Sequence, residues 1–533
     1  MKIVIADGLA TSALELLNRE NWTVDVRSGL QPNELATNLA DADALIVRGA
    51  TTVDSNLIAA GRQLRVIARA GTGIDNVDLD NATKRGILVL NAPGMNSVSV
   101  AEHTCALMLG LARSVSRADA AMKQGHWEKK NLIGAELHGK TLGIVGLGRI
   151  GREVAGRALA FGMKVLAHDP FISEQRASDL AVELLSLDNL CAESDFITLH
   201  LPSNSATCAL FDKTRFSRCK FGVRIINTAR GNLIDENALV EAIRSGQVAG
   251  AGLDVFQAEP PTNSSLTSLP QVIATPHIGA STQEAQELVG LETAASVRDF
   301  LKSGIVRNAV NFPSIPPDEF KRLQPFITMA ERLGDLLGQL SDGRPEAIGI
   351  RYYGDLVGAN SDLLVGSTLA GLFKGVLSST VTPINARSIA VQRGIEVIES
   401  SSSRHRKFTS LLSVKLRTSK DERWVEGTVF DYGRPRLVLL DGVEIETPLE
   451  GLLIVIQNND QPGVIGEVGT ILGHYSINIA TFVLGRNPTG AVGVVSIDQR
   501  VPGTLPNDST INKDLLADIR AIEAVKKAEL VRL

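Results

Sequence analysis

Residues 141–151, Thr141-Leu142-Gly143-Ile144-Val145-Gly146-Leu147-Gly148-Arg149-Ile150-Gly151, decide the fold. An apolar run with strand character leads directly into a Gly-x-Gly-x-x-Gly turn that opens a helix. In that context each glycine has a task. Gly146 allows the tight turn, Gly148 lets backbone approach a pyrophosphate, and Gly151 lets helix and strand lie close together. The helix start, with Arg149 and Ile150, offers free N–H groups and a partial positive charge to phosphates. Asp169 stands at the end of the next expected strand, Lys164-Val165-Leu166. A carboxylate there accepts hydrogen bonds from both ribose hydroxyls and repels a 2′-phosphate, so NAD is expected rather than NADP.

Working outward, the strand and helix pattern continues through Phe196-Ile197-Thr198-Leu199, Arg224-Ile225-Ile226, Gly252-Leu253-Asp254-Val255 and Gln271-Val272-Ile273-Ala274. Six strands with helices between them predict a doubly wound parallel sheet. Upstream, Ile3-Val4-Ile5, Val24-Asp25-Val26, Ala44-Leu45-Ile46-Val47, Val66-Ile67-Ala68 and Leu88-Val89-Leu90 alternate with helix-like stretches and predict a second, smaller parallel layer. Helical spacing from Ala101 to about Lys123, with neither proline nor turn cluster, predicts one long helix joining the two. The prolines of Asn311-Phe312-Pro313-Ser314-Ile315-Pro316-Pro317 mark a boundary. Beyond it, residues 318–450 read as a folded region without a chemical motif. Its run Ser400-Ser401-Ser402-Ser403-Arg404-His405-Arg406-Lys407 reads as a solvated loop. Residues 452–533 read β, α, β, β, α, β, a ferredoxin-like module.

The composition bounds this reading. At roughly 100–200 residues per domain, 533 residues divide into three or four domains. A balance of 54 basic against 59 acidic residues gives no basic field to draw nucleic acid. No window holds the 18 or more apolar residues that a membrane span needs. Four cysteines without a C-x-x-C pair suggest neither a disulfide framework nor a metal site, and fit a reducing compartment. With Met1-Lys2-Ile3-Val4-Ile5 running straight into a strand, no signal peptide and a cytoplasmic location are expected.

Three charged residues fall at or just beyond the carboxyl ends of expected strands, where such sheets gather their chemistry. Arg230 follows Ile225-Ile226-Asn227-Thr228-Ala229, Glu259 comes shortly after Asp254-Val255, and His277 follows Ile273-Ala274-Thr275-Pro276. A guanidinium in that position can clamp a carboxylate. An imidazole can exchange a hydroxyl proton while hydride moves, and a nearby glutamate fixes its tautomer. The segments Gly146–Gly151, Asn227-Thr228-Ala229-Arg230-Gly231, Asp254-Val255-Phe256 with Glu259-Pro260, and Thr275-Pro276-His277-Ile278-Gly279 together resemble the D-2-hydroxyacid dehydrogenase family over about residues 1–310.

The resemblance implies that Arg230 orients the substrate carboxylate and that His277, paired with Glu259, is the general acid and base. It implies a cofactor set of Gly146, Gly148, Arg149, Ile150, Gly151, Asp169, Pro202, Thr228, Ala229, Arg230, Asp254, His277 and Gly279. It also implies a substrate lobe of residues 1–98 with 283–310, a NAD lobe of residues 99–282 inserted into it, and a cleft that closes by a hinge.

The loops Arg48-Gly49-Ala50-Thr51 and Arg69-Ala70-Gly71-Thr72-Gly73-Ile74-Asp75-Asn76 each set an arginine among small residues. Arg48 and Arg69 could bind a phosphate while backbone around Gly71 and Gly73 holds a carboxylate. These loops, and Trp127-Glu128-Lys129-Lys130, resemble the phosphoglycerate dehydrogenase branch of the family, which implies 3-phosphoglycerate as substrate with Asn96, Arg230 and His277 also touching it. Lys129 stands where relatives often carry an arginine that reaches a neighbouring subunit. Residues 318–450 resemble the intervening domain of the long form. Residues 452–533 resemble an ACT module through Asp460-Gln461-Pro462-Gly463-Val464-Ile465-Gly466 and Ile477-Asn478-Ile479. This implies L-serine as an effector held by Asn458, Asp460 and Asn478, Asn458 standing where relatives can carry histidine or tyrosine. The expected fold class is thus α/β: two doubly wound Rossmann-like lobes, an α+β intervening domain and a C-terminal ferredoxin-like ACT domain. A homotetramer with neither nucleic-acid nor membrane partner is expected. A dehydrogenase for glycerate or lactate, and a non-catalytic NAD-sensing scaffold, are the alternatives.

Overall fold

The computed structural model describes residues 1–533 apart from 262–263, 359, 378–379, 405, 431–432, 489 and 498–508. His405, in the serine and basic run, lies outside the described residues.

The first sheet holds five parallel strands: β1 (Lys2–Ile5), β2 (Thr23–Val26), β3 (Ala44–Val47), β4 (Val66–Arg69) and β5 (Leu88–Leu90), in the order β2-β1-β3-β4-β5. Helices cover both faces, so the central strands read as continuous apolar runs; all four residues of β3 are buried. Ile3, Ile5, Ala44 and Ile46 face one cluster, and Val4, Leu45 and Val47 face the other. The helix Gln283–Ser303 closes the first of these faces with Val289, Ala294, Val297 and Leu301. A distant stretch of chain thereby completes the lobe that the N-terminus begins.

The second sheet has seven parallel strands: β6 (Thr141–Val145), β7 (Lys164–His168), β8 (Glu183–Leu184), β9 (Phe196–Leu199), β10 (Val223–Asn227), β11 (Val248–Leu253) and β12 (Val272–Ala274), in the order β12-β11-β10-β9-β6-β7-β8. The order reverses beside β6, which places the glycine-rich turn at the topological switch point. The two-residue edge strand β8 is one more than the six expected, and is too short to show a pattern of its own.

The single long helix expected from Ala101 to about Lys123 is two helices, Ser97–Arg113 and Val115–Lys123, broken at Ser114 in a left-handed conformation (φ 50°). The first buries Leu107, Met108 and Ala112 against the second sheet. The second has no buried residue, because after Arg113 the chain leaves the core and apolar spacing stops reporting a neighbour.

Beyond the prolines, the helix Pro317–Leu340 begins with Pro317 at a position whose N–H would be unpaired in any case. A six-stranded sheet follows: β13 (Pro345–Gly354), β14 (Glu396–Ser402), β15 (Ser410–Thr418), β16 (Glu422–Phe430), β17 (Arg434–Leu440) and β18 (Val443–Pro448), in the order β14-β13-β15-β16-β17-β18. It is antiparallel except at β13–β14.

The last sheet, β19 (Leu452–Asn458), β20 (Ile479–Asn487), β21 (Gly490–Ile497) and β22 (Val525–Arg532), is ordered β20-β21-β19-β22 and antiparallel, with helices Val464–His474 and Ser509–Arg520 between strands. Its strands alternate. Ile454, Ile456 and Val495 face these helices, whereas Leu453, Val455, Val494 and Val531 join the core of the preceding six-stranded region. Among the described residues, no helix is long and apolar enough to cross a membrane.

Candidate active site

The glycine-rich turn is built as the spacing requires. Gly146 has φ +99°, and a side chain there would meet the carbonyl oxygen of His200 at 2.6 Å. A Cβ at Gly151 would overlap the Gly146 carbonyl. Gly148 is exposed, and a Cβ at Gly148 would meet nothing within 4 Å. The helix Arg149–Ala160 starts without a side-chain cap, so its first N–H groups remain free for an anion. Asp169 Oδ2 accepts the Leu147 N–H at 2.9 Å and Oδ1 accepts that of Phe171 at 2.9 Å. Each carboxylate oxygen has a second lone pair left, so the acceptor capacity that two ribose hydroxyls need is present. Open space at Gly148, an uncapped helix start and a half-buried carboxylate together fit a dinucleotide.

Of the other expected cofactor residues, Pro202 is exposed at the end of β9. Thr228 is buried, with its hydroxyl 2.8 Å from that of Thr104, and Ala229 follows it. The Arg149 side chain lies against Gly94, where the chain crosses between lobes. His200, which sequence reasoning did not single out, is buried enough that its pKa falls to about 3; it is neutral, with Nε2 3.0 Å from the Thr198 hydroxyl.

His277 Nδ1 lies 2.7 Å from Glu259 Oε2, and both side chains are open to solvent. Glu259 is itself held, since its Oε1 accepts the Phe256 N–H at 3.1 Å. With Nδ1 facing a carboxylate, Nδ1 carries a proton and Nε2 is left to exchange one. The backbone of His277 has φ 53°, which a loop must be constrained to hold. Asp254 supplies that constraint. It is 1% exposed, and its Oδ1 accepts the Thr275 hydroxyl at 2.6 Å and the Ile278 N–H at 2.8 Å, while Oδ2 accepts the Gly279 N–H at 2.8 Å. His103 Nε2 stands 3.0 Å from the Thr275 hydroxyl and 3.3 Å from Asp254 Oδ1. Burial raises the Asp254 pKa, but the hydrogen bonds from His103, Thr275, Ile278 and Gly279 outweigh it and hold the group below the ordinary carboxylate value. Asp254 thus grips the His277 loop from beneath.

Arg230 caps the end of β10, where Asn227 fixes the turn by donating to the Arg230 carbonyl at 2.8 Å. Its guanidinium reaches the other lobe: Nε donates to Asp75 Oδ2 at 2.9 Å, and the group lies so close to Gly73 that a Cβ there would overlap it. Arg69, at the end of β4, folds over Gly71 in the same way. Its Nε is buried and has no hydrogen-bond partner among the described residues. Burial lowers the Arg69 pKa from the usual guanidinium value, with Arg230 and Arg48 nearby adding to the effect and Asp75 and Asp7 opposing it. Three cations therefore converge at one cleft.

The Arg48 loop is held by Asp7, whose carboxylate accepts the Arg48 N–H at 2.5 Å and the Thr51 hydroxyl at 2.8 Å. Asn76 ties the two arginine loops by donating to the Arg48 carbonyl at 2.7 Å. The Asn96 amide oxygen accepts the Thr72 hydroxyl at 3.0 Å at the edge of the same cleft. Lys129 is exposed on a short turn beside Trp127, which is 78% exposed.

At the C-terminal module, Asn458 is 3% exposed, and its side-chain oxygen accepts the Asp460 N–H at 2.8 Å. Asp460 accepts Arg486 Nε at 2.9 Å, and Asn478 is exposed. Of the three expected effector residues, Asn458 turns inward to shape the loop, and Asp460 and Asn478 face outward.

Two parallel sheets bridged by the Arg230–Asp75 pair, a dinucleotide turn, a histidine–glutamate pair and clustered arginines define a hydride-transferring enzyme of the hydroxy-acid class. Residues 105–279 match the family described as D-isomer specific 2-hydroxyacid dehydrogenase, NAD binding domain, and residues 322–441 match the D-3-phosphoglycerate dehydrogenase intervening domain. The cofactor is NAD. A D-3-phosphoglycerate dehydrogenase of Archaeoglobus fulgidus is 41% identical over 91% of this chain and 92% of its own length. Among solved structures, the TT0316 protein of Thermus thermophilus is 37% identical, with a TM-score of 0.54 over 58% of this chain and all of its own. A D-lactate dehydrogenase of Aquifex aeolicus, solved with NAD and lactic acid, is 30% identical with a TM-score of 0.52 over 59% of this chain and all of its own. The chain belongs to the D-3-phosphoglycerate dehydrogenase family.

Proposed function

We propose that the enzyme oxidises 3-phospho-D-glycerate to 3-phosphohydroxypyruvate with NAD, the first step of phosphorylated serine synthesis. The observation that supports this reading is the grouping of Arg48, Arg69 and Arg230, with the Arg230 turn packed at Gly231 on the Phe256 loop that holds Glu259 and, through it, His277: cations for two anionic ends of a substrate and a base on the neighbouring loop. NAD, when bound, supplies the hydride acceptor. Arg230 leaves Asp75 to clamp the C1 carboxylate in its planar fork. Arg69, already desolvated and short of a partner at Nε, holds the distal phosphate with Arg48. His277 Nε2 takes the C2 hydroxyl proton, and the imidazolium that forms is stabilised by Glu259. Asp254 acts as a positioning residue for the His277 loop. The residue sets for cofactor and substrate are those read from the sequence, Lys129 aside.

In the domain division that follows, residues 1–98 and 283–310 form the substrate lobe, 99–282 the NAD lobe, 318–450 the intervening domain and 452–533 an ACT domain. The ACT reading is supported by the βαββαβ order and the strand arrangement β20-β21-β19-β22, and L-serine is its effector, with Asp460 and Asn478 toward the ligand. A homotetramer in the cytoplasm belongs to the same reading; the apolar side chains Val115, Met122, Trp127 and Ile133, exposed between the helix Ser97–Arg113 and β6, offer a surface for self-association.

The test is NADH formation with 3-phosphoglycerate, D-glycerate and D-lactate, each with and without L-serine. Preference for the phosphorylated acid supports the reading, and equal turnover of all three overturns it. A flat response to L-serine in both activity and intrinsic fluorescence removes the effector.

A further inference from the structure

A cavity of about 880 Å³ lies between the substrate lobe and the region after the prolines, at the amino ends of β4 and β5 and so on the far side of the sheet from the catalytic cleft. Its walls are apolar: Leu64 from the turn before β4 and Leu88 from β5, Phe300 and Phe312 from the returning chain, and Phe320 and Ile327 from the helix Pro317–Leu340. Its rim is cationic. Arg62, Arg65, Lys84 and Arg85 line it against one carboxylate, Glu331.

Arg85 is spent on backbone, donating to the carbonyls of Ile58 and Gly61. Arg62, Arg65 and Lys84 are exposed, and among the described residues none of them has a carboxylate within 4 Å, Asp78 acting on Lys84 only from further off. Arg65 instead lies over the Phe300 ring, 5.6 Å from its centroid.

The junction that closes this space is specific. Asn385, 1% exposed, donates to the Lys84 carbonyl at 3.0 Å and accepts the Thr382 N–H at 2.8 Å, and the Thr382 hydroxyl donates to the Gly86 carbonyl at 3.1 Å. Gly86 turns at φ +70° with its open side against Thr382, where a Cβ would overlap the hydroxyl.

We propose that this cavity binds an amphipathic monocarboxylate, its hydrocarbon or aryl body among Leu88, Phe300, Phe312 and Ile327 and its carboxylate at Arg65 and Lys84. The volume falls in the range of small-molecule sites. The pairing of an apolar interior with unpaired cations at the mouth selects for a ligand with one anionic end. A purely polar anion would leave the walls wet, and a neutral hydrocarbon would leave the cations without an anion in contact.

Decanoate is the probe. Calorimetric titration of the full-length protein, saturated with NADH, should show saturable decanoate binding, with acetate and decanol each at least tenfold weaker. Arg65→Glu with Lys84→Glu should weaken decanoate tenfold or more while NADH formation stays at the parent rate. Arg62→Glu, made separately, should weaken it to a smaller extent. Displacement of decanoate by NADH, equal binding of decanol, or unchanged affinity in a double variant with parental turnover would each overturn the site. Because both readouts are taken on an enzyme whose turnover is measured in parallel, failure here is distinguishable from failure of the catalytic assignment.

Discussion

The two parallel sheets share an architecture and differ in what stands at their carboxyl ends. Each has a switch point, beside β1 in the five-stranded sheet and beside β6 in the seven-stranded one. At the second, mainly backbone is presented: an open glycine and free helix N–H groups, with one carboxylate beside them. At the first, side chains are presented instead: Asp7 and Asn76 hold the Arg48 and Arg69 loops in register, and Asp75 pairs with Arg230 from the other sheet. In the proposed function one scaffold thus serves a large ligand whose phosphates meet amides and a small one whose charges meet arginine forks. The proposed base, His277, follows β12 of the seven-stranded sheet, and two of the three arginines belong to the five-stranded one, so on the proposed reading chemistry and recognition should separate by mutation.

The largest effect should come from the NAD lobe. His277→Ala removes the group proposed to take the hydroxyl proton, and kcat should fall by about 10²–10⁴-fold, with NADH still bound, as read by fluorescence titration. Turnover near the parent rate would break the comparison at its centre. On the substrate lobe, Arg69→Ala deletes a charge-assisted contact worth about 1.5–3 kcal/mol, or on the order of 10–100-fold in kcat/KM for 3-phosphoglycerate. The loss should be much smaller with D-glycerate, which has no phosphate. An equal loss with both would move Arg69 from recognition to structure.

What could be read from the sequence follows the same division. The NAD lobe's signals are local: Gly146, Gly148 and Gly151 sit within one turn, and Arg230, Glu259 and His277 each follow a strand within a few residues. The devices that hold them are not local. Asp7 acts on a loop about forty residues on, Asn76 joins loops from two strands, and His103 of the helix Ser97–Arg113 meets Thr275 beyond β12. A lone aspartate directly after a first strand was the one available signal for Asp7, and periodicity carries none for the others. The helix break at Ser114 was hidden for a related reason. Apolar spacing records burial, and beyond Arg113 there is none to record. In the C-terminal module the order of elements was legible. The burial of Asn458 was not, because it depends on the strand β19 turning that side chain inward.

A third effect sharpens the role of Asp254. In Asp254→Asn one acceptor oxygen becomes an NH₂ group that cannot receive Gly279 or Ile278 N–H, leaving a buried donor unpaired at a cost of about 1–3 kcal/mol. Calorimetry at neutral pH should show a melting temperature lower by several degrees, at roughly 2–4 °C per kcal/mol for a domain of this size. The sign of the pH dependence follows from the lowered pKa. A carboxylate held below 3.8 in the folded state contributes stability above its unfolded value, and that contribution is lost as pH falls through the folded one. The difference between parent and variant should therefore be constant from neutrality down to about pH 5 and shrink below about pH 4. A difference that grows on acidification would mean that Asp254 is protonated in the fold.

The smallest effect lies where the two sheets meet. Arg230 rises from the NAD lobe and is held by Asp75 of the substrate lobe, an ion pair with Asp75 largely exposed. A substrate carboxylate must displace Asp75 to occupy the fork, so the pair competes with binding. Exposed pairs are worth about 0.2–1 kcal/mol, which sets the competition at roughly 1.5–5-fold. Asp75→Asn should therefore lower KM for 3-phosphoglycerate within that range and leave kcat unchanged, a gain in affinity from the loss of a contact. A rise in KM would show instead that Asp75 aims Arg230 at the substrate, and that the two lobes recognise the carboxylate together.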